Sequence, residues 1–216
     1  MEENNTTQDI LNQVHESTPD TLHPLLDYII KNGKIIAAGV AAIILIAGGI
    51  SGYKYMNQQK MIKAQSEMGV IQIKYSGEKE ATELVAFAKE APEVMKPAVQ
   101  LAIAKAWMDA GNYANAKSAW AVVGKTTPEM APIAGLGEAK CLMLENKPGE
   151  AVTLLQALVN SASAPYTPSI NRLIAEAAEQ DGNLQVAITA YQALLTSAPQ
   201  EASFFEFKIK ELKAKL

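Results

Sequence analysis

Alanine recurs at Ala81, Ala116, Ala151 and Ala187, at spacings of 35, 35 and 36 residues, and this beat constrains the fold more than any other feature. A second small residue keeps the interval twelve places earlier, at Gly69, Ala104, Ala139 and Ala175. Four places after each alanine stands a bulky apolar side chain (Val85, Trp120, Leu155, Tyr191), and three further on come Ala88, Val123, Leu158 and Leu194. A period in the mid-thirties with two fixed small slots marks stacked helix–turn–helix units. Turns between such helices need Gly or Asn for a left-handed backbone, and Ser76-Gly77, Gly111-Asn112, Asn146 and Gly182-Asn183 fall there. The alternative is an alanine-rich bundle with an accidental period; agreement of slots and turns over four units argues against it. Strand-like alternation is missing almost throughout, so the expected fold is all-α.

The register resembles that of tetratricopeptide repeats. The resemblance implies that the two small slots mark where the first and second helix of each unit cross, since a larger side chain would push the axes beyond the usual 8–10 Å. It assigns the repeat-packing positions to Gly69, Ala81, Ala104, Ala116, Ala139, Ala151, Ala175 and Ala187. Pro128 and Pro199 stand where a unit ends, and Pro92 and Pro165 fall within two residues of it. The family's Trp, Leu and Gly early in the first helix are mostly absent, and unit three has Lys147-Pro148 where an aromatic is usual.

Residues Ile35 to Ile50 hold no charged or strongly polar side chain, and with Ser51, Gly52 and Tyr53 they make nineteen residues. That is about 28 Å of helix, enough for a bilayer core. Lys31 and Lys34 flank one end and Tyr53, Lys54 and Tyr55 the other, as interface anchors. A cleavable signal peptide fits badly, because the preceding 34 residues are long, acidic and lack a basic start. A single uncleaved anchor is expected. Ala38/Ala42 and Gly48/Gly52 are small pairs that let another helix approach. Two lysines before the span and three after it (Lys54, Lys60, Lys63) leave orientation undecided. Residues 1–20 form a polar tail with no periodicity, and 21–34 a short juxtamembrane segment that can form a brief helix with an apolar face. Tyr53 to Lys74 contains no Pro and only one Gly, Gly69. The anchor over 35–53 is therefore expected to run straight into the repeats over 54–200, with a capping helix over 201–216.

The span's borders are more specific. Asn32-Gly33-Lys34 before it and Gly52-Tyr53-Lys54-Tyr55 after it resemble the ENGK and GWRYW borders of YfgM-type proteins, ancillary subunits of the bacterial SecYEG translocon. Phe207-Lys208-Ile209-Lys210-Glu211-Leu212 is similar to that family's ending. The resemblance implies a cytoplasmic amino terminus, a periplasmic solenoid, and association with the Sec translocon, a periplasmic chaperone of the PpiD type and secretory clients. Met56 replaces the second Trp of the border, and Lys replaces its basic residue.

Net charge is −4, and Arg172 is the only arginine, so neither a basic field nor bidentate phosphate recognition is available for nucleic acid. The single cysteine, Cys141, excludes an intrachain disulfide and is expected to be a buried small hydrophobe. Both histidines, His15 and His23, lie in the polar amino-terminal stretch, so the folded body has no imidazole for a triad or shuttle. No catalytic residue, metal site, cofactor or small-molecule substrate is expected, and the chain reads as a protein-binding scaffold. In the repeat family the concave groove is lined by first-helix residues just after each small slot. Mapped here, that gives Leu101, Lys105, Met108 and Asp109, then Leu136, Lys140, Met143 and Leu144, then Arg172, Glu176 and Glu179. The methionines suit an adaptable groove, or equally fill gaps between units. Phe205, Ile209, Leu212 and Leu216 make a helical stripe for capping the last unit, with Lys208, Lys210, Glu211, Lys213 and Lys215 as its polar face.

The expected molecule is thus one transmembrane helix, a tetratricopeptide-like solenoid of about four helix pairs, and a capping helix. Its expected role is an accessory of the Sec translocon at the bacterial inner membrane. The competing reading is a structural or assembly subunit of another membrane complex, with the solenoid in the cytoplasm.

Overall fold

The computed structural model describes Tyr28, residues 31–161 and residues 163–216. The expected polar tail, most of the juxtamembrane segment and both histidines lie outside the described residues. The chain divides into two compact units, Met1–Gln59 and Lys60–Leu216, and each is taken by itself.

Helix α1 runs unbroken over Gly33–Lys74, 42 residues. No proline interrupts it, and a backbone in hydrocarbon must satisfy its own N–H and C=O groups, which a helix does. It alone among the described helices is long and apolar enough to cross a membrane, and no residue of its apolar window is buried.

The second unit holds the end of α1 and then α2 (Gly77–Ala88), α3 (Lys96–Asp109), α4 (Tyr113–Thr126), α5 (Ala131–Leu144), α6 (Pro148–Ser161), α7 (Thr167–Asp181), α8 (Leu184–Ser197) and α9 (Ala202–Lys213). No strand occurs among the described residues. From α2 on, each helix packs on the next, and α5 also touches α7, so the first helices of neighbouring units lie side by side. This is the all-α helical-pair stack that the alanine beat predicts.

The turns inside the second, third and fourth pairs share one construction. Gly111, Asn146 and Gly182 take φ of +73°, +59° and +77°. At each, the next residue's N–H reaches back to a carbonyl five places earlier: Asn112 to Trp107, Lys147 to Leu142, Asn183 to Ala178. This closes the orphan carbonyls at the end of the first helix. Asn112 and Asn183 then start the second helix, their side chains accepting from the N–H of Asn115 and Val186 at 3.2 and 3.3 Å. Between units the chain makes a short 3-10 turn, at Glu93–Met95, Pro128–Met130, Ala164–Tyr166 and Pro199–Glu201. Pro97, Pro132 and Pro168 follow in the first turn of α3, α5 and α7, where a missing N–H costs nothing.

Seven of the eight small slots are fully buried, each at 0 % exposure: Ala81, Ala104, Ala116, Ala139, Ala151, Ala175 and Ala187. Gly69 differs. A Cβ built there meets nothing within 4 Å, because α1 joins the core through Met61, Ala64, Met68 and Ile71 on another face. The core falls into two clusters. One runs from Ala64 to Ala119 and centres on Leu84, Val99 and Ala104; the other runs from Ala139 to Leu212 and centres on Leu155, Ile170, Leu194 and Phe205. Trp120 of α4 packs on the first cluster while its indole lies against Gly137 of α5, where a Cβ would stand 2.4 Å from the ring.

Helix α9 closes the stack. Phe205 and Leu212 are fully buried and Ile209 packs against the second cluster. Leu216, expected on the same stripe, is 74 % exposed, because the helix ends at Lys213 and the periodicity stops with it.

Candidate protein-binding surface

The expected groove residues sit on α3, α5 and α7, the first helices of units two to four. In α3, Leu101 and Met108 are half-buried, while Lys105 and Asp109 are exposed and ion-paired one turn apart. That pairing holds the Lys105 ammonium above its ordinary pKa, through the hydrogen bond from Lys105 to the Asp109 carboxylate. Met108 points inward enough for its sulfur to lie 3.2 Å from the Cys141 Sγ. Cys141 itself is buried, and burial pushes its thiol up to about 11.

In α5, Lys140 Nζ donates to Glu176 Oε1 of α7 at 2.7 Å, so two expected groove residues from adjacent units join in one ion pair. Leu136 is half-buried against the second cluster, and Leu144 stays 44 % exposed. Met143 departs from the expectation. It is only 5 % exposed and belongs to the second cluster, since it stands four residues after the buried Ala139 and shares that inward face.

Arg172 and Glu179 of α7 are taken up by the cap, whereas Glu176 pairs with Lys140. The Arg172 guanidinium donates two hydrogen bonds to the Glu201 carboxylate, at 2.8 and 2.9 Å, and lies 5.6 Å from the centre of the Phe205 ring. The bidentate pair raises the Arg172 pKa and holds Glu201 below the usual carboxylate range. Glu179 accepts from the Tyr191 hydroxyl and from Lys208 Nζ, both at 2.6 Å. Burial, then that hydrogen bond, raises the Tyr191 pKa. Lys208, expected on the polar outer face of the cap, is instead turned inward and only 18 % exposed. These contacts bridge 12 to 29 residues, and no spacing rule in the sequence announces them.

What remains open for a partner is a rail along α3 and α5: the half-buried Leu101 and Met108, the exposed Leu144, and the Lys105–Asp109 and Lys140–Glu176 pairs. Among the described residues no group of three or more His, Cys, Asp and Glu side chains stands together to hold a metal ion.

The comparisons with known proteins agree with this architecture. The solved structure of the MamA RS-1 ArsTM double mutant is similar in fold, with a TM-score of 0.52 and 19 % identity, over 72 % of this chain and 96 % of that one. No curated protein matches the sequence. The profile of the tetratricopeptide repeat-like domain matches residues 27–214, nearly the whole chain. This chain therefore belongs to the tetratricopeptide repeat-like domain family.

Proposed function

We propose that this chain is an ancillary subunit of the bacterial Sec translocon, anchored in the inner membrane with its helical repeats in the periplasm. Its coarse function follows from the family: a tetratricopeptide-like domain is a protein-interaction scaffold, typically non-enzymatic, and the apolar helix near the amino terminus fits a membrane anchor. The observation that carries the finer reading is the pair of motifs at the ends of the apolar run. These are Asn32-Gly33-Lys34 and Gly52-Tyr53-Lys54-Tyr55, joined by the Phe207–Leu212 ending. In this reading the rail on α3 and α5 holds a periplasmic chaperone of the PpiD type or an emerging secretory chain near the membrane. Its mixed charges and flexible Met108 suit partners of varied sequence.

A second reading stands because the lysines, three after the span and two before it, leave orientation undecided. The chain would then serve as an assembly subunit of another membrane complex. A reporter active only in the periplasm, fused after Leu216, separates the two; activity of a cytoplasmic reporter at that site sinks the translocon reading. With the periplasmic result in hand, photo-crosslinkers replacing Met108 and Lys140 are expected to capture Sec components or secretory chains. Capture of an unrelated complex alone favours the second reading.

A further inference from the structure

Beyond the apolar run, one face of α1 has no partner among the described residues. Ile62 is 51 % exposed and Ile73 89 % exposed, and a Cβ built at Gly69 between them meets nothing within 4 Å. With the exposed Ser66 they follow one another at steps of four, three and four, which keeps them on one side of the helix. The repeats pack on the opposite side, through Met61, Ala64, Met68 and Ile71.

Lipid does not reach this face. Counted along α1 from Tyr53, Ile62 lies about 14 Å and Ile73 about 30 Å beyond the end of the span, while the head-group layer is only about 5–8 Å deep on each side. The repeats are engaged on the far side of the helix, and the segment before Gly33 is separated from the face by the span. A stripe with alternating steps of three and four is the shape that a second helix covers.

Which helix follows from the residues of the stripe. Counted back along α1, the same steps continue through Gln59, Tyr55, Gly52 and Gly48, and no position of the stripe from Gly48 to Ile73 carries a charge. In a parallel pair related by a twofold axis, each stripe residue meets its own copy. The residues here tolerate that, since isoleucine packs on isoleucine and the Gln59 amide both donates to and accepts from a second Gln59. Beside the stripe the Gln58 side-chain carbonyl faces the Lys63 ammonium of the other copy, an acceptor against a donor. Lys60 and Glu67, both exposed, lie on the outer side and bring no like charges together.

We propose that this face is a self-association surface, and that its occupant is α1 of a second copy of the chain, parallel and in register. Both copies enter the bilayer in the same sense, so the parallel arrangement is imposed. Ser66 and Gly69 outside the membrane, and Gly48 and Gly52 within it, let the two backbones come close. The repeats, packed on the opposite face, lie on the outside of the pair, so that one membrane site carries two binding domains and gains avidity for a partner with two sites. The inference rests on α1 as a membrane anchor and holds in either compartment, with or without the Sec reading.

The test uses the purified full chain in liposomes, where a second copy is the only protein present. Ile62→Cys and Ile73→Cys place a thiol on the stripe and Lys60→Cys and Glu67→Cys place one off it, while the buried Cys141 stays as an internal control. Mild oxidation is expected to give covalent dimer at the two stripe positions at least about tenfold faster than at the two outer ones, and none in the parent. Energy transfer between donor- and acceptor-labelled copies reads association directly. Ile62→Glu sets two carboxylates face to face and is expected to weaken association at least about tenfold, and Ile73→Glu is expected to do the same. Both positions are exposed in the single chain, so circular dichroism should match the parent. Equal dimer yield at all four cysteines overturns the proposal, as does energy transfer that both glutamate variants leave unchanged. A parent that floats with the liposomes yet shows no energy transfer overturns the proposal alone; one that does not float overturns the anchor as well.

Discussion

Replacing Gly137 by alanine tests the contact that carries the core from unit two to unit three. A Cβ at this position would lie 2.4 Å from Cδ2 and 2.5 Å from Cε2 of Trp120, the two atoms at the fusion of the indole rings. These atoms sit on a rigid bicycle, so relief requires the whole indole or the α4–α5 spacing to move. Overpacking of this kind costs about 1–3 kcal/mol, and the rigid partner puts Gly137 in the upper half of that range. Against it stands the helix-propensity gain from Gly to Ala, about 0.8–1.0 kcal/mol. The net expectation is a loss of about 1–2 kcal/mol, or about 2–8 °C in Tm for a domain of this size. Gly69→Ala is the control. Nothing lies within 4 Å of its Cβ, so only the propensity gain of about 0.5–1 kcal/mol remains and Tm should rise by about 1–4 °C. Gly135→Ala meets a Leu158 methyl at 2.7 Å; that methyl swings aside, so this variant should lie between the two. Thermal unfolding of the full chain in detergent, followed by far-UV circular dichroism, ranks the three. A Gly137 variant as stable as the parent, or a Gly69 variant less stable than it, would refute both the close α4–α5 approach and the open face at Gly69.

Four further expectations follow from particular contacts. Phe205→Ala removes a fully buried ring from the joint between α8 and α9 and should cost about 3–5 kcal/mol, with hydrogen exchange faster in α7 to α9 first. Glu201→Gln should cost little stability at neutral pH, because its pair with Arg172 is half exposed. The folded pKa of Glu201 lies below its unfolded value, so its contribution is present above the ordinary carboxylate range and lost as pH falls through the depressed value. Parent and variant should therefore converge in acid. Glu138 carries the opposite sign: burial raises its pKa against the pull of Lys117 and Lys125. Glu138→Gln should stabilise by less than about 1 kcal/mol at neutral pH, an advantage that shrinks as pH falls through the raised pKa; a destabilised variant at neutral pH would refute this. Cys141, buried and with its thiol pushed up to about 11, should resist thiol reagents at neutral pH and react once urea unfolds the second unit.

The turn glycines show how much of this was legible in the chain. Gly111, Asn146 and Gly182 were expected at left-handed positions because only such residues adopt them without steric cost, and each does so. Local rules of this kind act within one turn, and a sequence records them directly. The groove fared differently. Arg172 and Glu179 look like free groove charges in the sequence, yet each bonds a residue of the cap 29 positions away. Met143 and Met108 look alike in sequence, but one is core and the other half-open. Such outcomes depend on how far each helix is rotated about its axis, which a period alone leaves free.

The sequence by itself determined the unit: its length, its crossing points, its turns and one apolar run long enough for a bilayer. Periodicity dictates these because small residues, left-handed turns and a missing polar group each impose a constraint at one position. Only the tertiary structure decided which charges are already paired within the chain and which faces stay open. It alone showed that recesses open beside α3, α5 and α7. The physical reason is that an empty space belongs to no single residue; it exists only once three helices have been brought together around it.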